Sequence, residues 1–149
     1  MFIDSHIGTA NDSHFHLLRE ELVCAHQALT KAISSLAHLT EGALPDRGVV
    51  VETRWNISSA SLARRSLWHR ILPELSHHRF DAVRANIRSL QDSDMALLRR
   101  SCAHVAVWNI DAVMRDWAGY GAASKEMREQ MESAMANEGA VLFNLLGEG

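Results

Sequence analysis

Histidine is the residue type this chain carries in excess, with nine in 149 residues. Imidazoles bind metals, move protons and accept phosphoryl groups, so their spacing decides which chemistry is open. A di-iron site in a helical bundle needs carboxylates and histidines projecting inward, commonly as His-x-x-x-Glu or Glu-x-x-His on one helix face. His16 and Glu20 form one such i, i+4 pair. His77 and His78 are adjacent, so they point in different directions around a helix and fit best near a turn. Glu138 is out of place in another way. It falls on an apolar seam between Met131, Met135 and Leu142, where an unpaired carboxylate costs several kcal/mol. His26, between Leu22 and Leu29, lies at the edge of a similar stripe. If the helices alternate in direction, Glu138 stands level with Leu22–His26 and with Arg65–His69. His26, Arg65, His69 and Glu138 are then the candidates for a pocket that the geometry allows. The plainer alternative leaves Glu138 reaching Arg65 or solvent, with the histidines at stripe edges.

Other chemistries find less support. Cys24 is two residues from His26, and positions i and i+2 diverge on a helix, so the two cannot form a nucleophile–base pair. There is no Gly-x-Ser-x-Gly elbow, no Walker loop, no Gly-x-Gly-x-x-Gly and no Cys-x-x-Cys. Phosphotransfer on an exposed histidine stays open. Its candidate is His69, with Arg65 one turn before it and Arg70 beside it.

These residues need elements to hold them. Two prolines and eight glycines fall between periodic segments, the punctuation of a few long helices. The first apolar set runs Phe15, Leu18, Leu22, Ala25, Leu29, Ile33 and Leu36 in steps of three and four. It predicts a helix over about 12–41, capped by Asp12 or Ser13 and ended by Gly42 and Pro45-Asp46-Arg47-Gly48. A second helix, about 52–75, uses Trp55, Leu62, Leu67, Trp68, Ile71 and Leu72, with Pro73 in a kink or last turn. Val49-Val50-Val51 has strand composition but no partner run. A third helix, about 79–108, carries Phe80, Val83, Ile87, Leu90, Leu97, Cys102 and Val105, with Gln91-Asp92-Ser93-Asp94 as a candidate interruption. After a link over 109–121 the fourth, about 121–147, carries Met127, Met131, Met135, Leu142 and Leu145. Four amphipathic helices on short loops predict an all-α, antiparallel up-down-up-down four-helix bundle in a single domain, 1–149. The methionines and the four tryptophans read as core or interface anchors.

Composition narrows the function classes. Hydrophobic residues at 47% and charged residues at 22% suit a soluble globular chain. No run approaches a membrane span, and the start Met1-Phe2-Ile3-Asp4 lacks the basic and apolar regions of a secretory signal. With only Cys24 and Cys102, the expectation is two buried thiols and a cytoplasmic protein. A net charge of −3 argues against nucleic acid as partner. Residues 53–70 hold Arg54, Arg64, Arg65 and Arg70 and no acid, while residues 125–149 hold five glutamates. These are expected to be facing, complementary helix surfaces.

The order of features resembles the hemerythrin-like (HHE cation-binding) bundles. The matching pieces are Phe15-His16-Leu17-Leu18, Ile71-Leu72-Pro73, Trp108-Asn109-Ile110-Asp111, Asp116-Trp117-Ala118-Gly119-Tyr120 and the close from Asn137-Glu138 to Leu145-Leu146. The resemblance implies a four-helix bundle and, in members that keep the ligands, a non-heme di-iron centre. Carried over, it places His16 (or His14) and Glu138 on ligand positions, but Ala63, Leu67 and Ala134 on others that cannot bind metal. It therefore implies a non-enzymatic member without the di-iron site or any cofactor, acting in binding or regulation with an unknown protein partner or as a homodimer. The alternative is a metal- or oxygen-responsive protein holding non-heme iron on His16, His26, His69 and Glu138.

Overall fold

The computed structural model describes the backbone of residues 2–147 and the side chains of residues 13–147. It is all-helical, with no strand among the described residues. Five helices follow in order: α1 (Phe2–Glu41), α2 (Arg47–Leu75), α3 (Asp81–Val107), the single-turn α4 (Ile110–Arg115) and α5 (Trp117–Gly147). α1 packs along α2 and α5, α3 packs along α5, and α4 bridges α2 and α5. The α2–α3 contact is sparse by comparison, and this gap is where the main cleft opens.

Several boundaries differ from the sequence reading. α1 begins at Phe2, because no proline stands between there and residue 12 and a single glycine, Gly8, is tolerated within a helix. Ser13 is therefore inside the helix and caps nothing, and the side chain of Asp12 lies outside the described residues. α2 begins at Arg47, behind Asp46 in an extended conformation, so Val49-Val50-Val51 is helical. With no neighbouring strand, β-branched residues accept a helix at small cost. Pro73 occupies the last turn, as expected, and the helix ends at Leu75. α3 runs through residues 91–94 without interruption. The link after Trp108 is itself helical. The Asn109 side chain accepts from the Ala112 amide at 2.9 Å to start α4, and Asp116 accepts from the Gly119 amide at 2.9 Å to start α5. A Cβ on Gly119 would collide with that carboxylate.

The stripes on α1 and α5 form the core. Leu18, Leu22, Leu29, Ile33 and Leu36 are buried on α1, and Tyr120, Ser124, Met127, Met131, Met135, Glu138, Leu142 and Leu146 on α5. Each fully buried leucine contributes about 1.5–3 kcal/mol relative to exposure. The other two long helices are shallower than expected. On α3 only Ile87 and Leu97 are buried, while Val105 and, just before the helix, Phe80 are exposed. On α2 the expected core residues Trp55 and Leu62 are exposed at 69% and 65%. Cys24 and Cys102 are also exposed, not buried. Their helices turn apolar stripes inward beside them, leaving the thiols on the flank.

Apolar packing falls into three clusters along the molecule. One groups Leu18, Leu22, Trp68, Ile71, Ile87 and Leu142, and the middle one groups Leu29, Ile33, Leu97, Met127, Met131 and Met135. The third, around Tyr120, holds Leu36, Val50 and Val113. Between the first two clusters lies a layer of charge.

Candidate functional site

Each long helix sends one charged or titratable side chain into that layer. On α1 it is His26, between Leu22 and Leu29; on α5 it is Glu138, between Met135 and Leu142. On α2 it is Arg64, one turn before Trp68, and on α3 it is Asp94, between Leu90 and Leu97. The Arg64 guanidinium donates from Nη1 to Glu138 Oε1 at 2.9 Å and from Nη2 to Asp94 Oδ1 at 2.7 Å. The other Glu138 oxygen, Oε2, meets His26 Nε2. Glu138 is 1% exposed and Arg64 4% exposed, so charge at this level is shielded from water. Arg65 Nε stands 3.7 Å from Asp94 Oδ2 on the outer side. Phe143 closes the His26 side edge-on, with ring centroids 5.6 Å apart. Gly139 permits that approach, because a Cβ there would lie 3.0 Å from the Phe143 ring.

The candidate pocket is therefore assembled in part. His26 and Glu138 meet, but the arginine between the carboxylates is Arg64, and Arg65 is peripheral. His69 is exposed and takes no part. His16 is exposed and pairs with Glu20 at 3.1 Å. His16, His26, His69 and Glu138 thus do not converge, and no group of three metal-binding side chains occurs among the described residues. Glu74-Leu75-Ser76-His77 also has Glu-x-x-His spacing, but α2 ends at Leu75 and Glu74 faces His14 at 3.1 Å. The register carried over from the hemerythrin-like bundles fails at Ala63, which is exposed while Leu67 and Glu138 are buried.

These residues do not fit a di-iron centre. The inward carboxylates on α5 and α3 already have a cation, the Arg64 guanidinium, bonded to both. A planar fork of fixed donors satisfies two carboxylates at once, which makes arginine suited to this place. Among the described residues, the arginine-rich stretch of α2 and the acidic end of α5 meet only through Arg64 and Glu138. Arg70 turns instead to Glu21 on α1, at 2.7 Å, so His69 has no free guanidinium beside it on that side.

A second feature was not foreseen in the sequence. A cleft of about 760 Å³ opens between α2, α3 and α5, within the range of about 300–1,000 Å³ usual for small-molecule sites. Ile57, Leu98, Met127 and Met131 form its apolar wall, and Val51, Trp55 and Val105 stand exposed at the mouth. It exists because Ser58 and Ser61 on α2 face Ser101 and Cys102 on α3, and such short side chains cannot bridge the two helices. The Ser61 Oγ is buried there without a hydrogen-bond partner.

One end of the cleft is polar. Tyr120, 1% exposed, sits among Trp108, Trp117 and His104, each with its ring centroid 5.8–5.9 Å away. Arg54 lies over the Tyr120 ring at 5.5 Å, and Arg128 Nε donates to Ser124 Oγ at 3.2 Å. Burial raises the Tyr120 phenol above its ordinary pKa, opposed by Arg54, the Ser124 hydrogen bond and Arg128. Burial and then Arg54 lower the His104 pKa, favouring the neutral ring and leaving positive charge to the arginines. No family model, curated protein or solved structure matches the chain.

Proposed function

We propose that the chain is a non-enzymatic binding or regulatory protein, built as a hemerythrin-like, up-down-up-down four-helix bundle whose interior holds an ion network and no di-iron site. Its binding site is the cleft between α2, α3 and α5. Cross-helix pairs support the alternating directions. Glu74 near the end of α2 meets His14 near the start of α1, Trp117 at the start of α5 donates to the Gly42 carbonyl just after α1, and Arg64 meets both Asp94 and Glu138.

The observation that carries the reading is the cleft itself. An apolar cavity of about 760 Å³, edged by serines and arginines rather than by a nucleophile–base pair, suits binding without chemistry. Exposed Trp55 and Val105 leave apolar surface that a ligand would cover.

A neutral naphthylamine dye tests this. The native protein is expected to bind it saturably, one per chain, with enhanced emission. Ser58→Trp, an exposed position on the cleft wall, is expected to weaken binding at least about tenfold by filling the site, with little change in melting temperature. Failure of the native protein to bind saturably would overturn the proposal, as would equal binding by the variant. Trp55, Leu62 and Val105 also favour self-association, which sedimentation of the same samples reads as a dimer mass.

A further inference from the structure

The polar end of the cleft has an electrostatic asymmetry. Arg54 from α2 and Arg128 from α5 both act on the buried Tyr120 phenol. Arg54 rests on the phenol ring, while Arg128 reaches Ser124 Oγ at 3.2 Å and Thr40 Oγ1 at 3.4 Å. Neither has a carboxylate within ion-pair distance among the described residues. Two like charges near one buried group repel each other more strongly than they would in water. A bound anion relieves that repulsion and gains charge-assisted hydrogen bonds. The hydroxyls of Tyr120 and Ser124, hydrogen-bonded to each other, leave one neutral donor at the same place.

The rest of the cleft differs. No aspartate or glutamate lines it, and its third arginine, Arg65, is already turned toward Asp94. From Tyr120 the apolar wall continues along α5 past Met127 to Met131, a span of about 16 Å at the helical rise. That shape matches a charged head followed by a flexible chain, and methionines repack readily around a chain.

We propose that the cleft binds a medium-chain monocarboxylate, its carboxylate held by Arg54 and Arg128 over Tyr120 and Ser124, its chain lying toward Leu98 and Met131. This rests on the reading of the cleft as the binding site.

The test is displacement of the neutral dye from the full chain by dodecanoate, dodecanol and dodecyltrimethylammonium, each below its micelle concentration. Native protein is expected to bind dodecanoate at least about tenfold tighter than dodecanol, and the cation most weakly. Arg54→Gln should remove most of the acid–alcohol gap. Arg54→Lys, which keeps the charge, should retain a measurable gap, and Arg128→Gln gives an independent second variant if Arg54→Gln fails to fold. Equal affinity for acid and alcohol in native protein overturns the proposal while leaving the cleft as a binding site. A gap that survives both glutamine variants overturns it in the same way. If the dye binds saturably and none of the three displaces it, the carboxylate inference falls alone. If the dye itself does not bind saturably, the cleft reading falls and takes this inference with it.

Discussion

Arg64→Leu is expected to destabilise the protein by about 3–5 kcal/mol, the usual cost of removing one partner of a buried ion pair. The guanidinium is bonded to two carboxylates from two other helices, Glu138 at 2.9 Å and Asp94 at 2.7 Å. Leucine would leave Glu138, 1% exposed, with His26 alone and no route to water. Arg65→Leu is the control. Arg65 reaches the same Asp94 only at 3.7 Å and from a less buried position, so its loss should cost no more than about 1 kcal/mol. The double variant Arg64→Leu/Glu138→Leu should recover much of the loss, because apolar replacements of a buried pair are often neutral. Urea unfolding measures these variants together with Glu138→Leu, and a non-additive cycle of Arg64→Leu, Glu138→Leu and the double variant is the signature of direct contact. An Arg64→Leu cost below about 1 kcal/mol would mean the layer is hydrated rather than sealed.

Leu142→Ala is expected to cost about 2–5 kcal/mol, through lost transfer free energy and the cavity left behind. Leu142 is 0% exposed and packs in the cluster that draws Leu22 from α1, Trp68 and Ile71 from α2 and Ile87 from α3. Glu138 lies one turn before it, and the polar layer cannot slide inward to fill the space without breaking its hydrogen bonds. The cavity should therefore stay open, placing the cost toward the upper part of that range. For a chain of this size the melting temperature should fall by about 2–4 °C for each kcal/mol. Leu145→Ala, at a half-buried position three residues on, should shift it by less. An equal shift in the two variants would show that the cluster does not close around Leu142.

The elements most legible in the sequence were the two with the deepest stripes. On α1 and α5 most of the apolar residues at steps of three and four are buried, with Phe15, Ala25 and Leu145 only partly so and Leu146 buried in place of Leu145, because both helices touch two long neighbours along most of their length. Glu138 stands out because its seam neighbours Met131, Met135 and Leu142 are apolar, and His26 follows from the same level on α1. Asp94 and Arg64 occupy equivalent places on their helices, four after Leu90 and three before Leu67. A local reason hides them in the sequence. Asp94 sits in a polar run that reads as a break, and Arg64 is next to a second arginine that sequence alone cannot rank. Trp55, Leu62 and Val105 misled in the opposite direction. Their spacing suits a core, but whether a core forms there depends on how closely α2 and α3 approach, and the serines that fail to fill the gap between the two helices carry no periodic signal. The cleft is a property of that pair, and neither helix shows it alone.

The most direct test of the account is where a ligand binds. Each indole N–H gives its own signal in a proton–nitrogen correlation spectrum, and the tryptophans sample the molecule well. Trp55 lines the cleft, whereas Trp68, thirteen residues along the same helix and about 20 Å away, lies in the apolar cluster beyond the charged layer. On titration with dodecanoate, the Trp55 signal is expected to shift progressively to saturation at one equivalent while that of Trp68 stays in place. A shift of Trp68 with Trp55 unmoved, or uniform small shifts that never saturate, would contradict the claim that this cleft is the binding site.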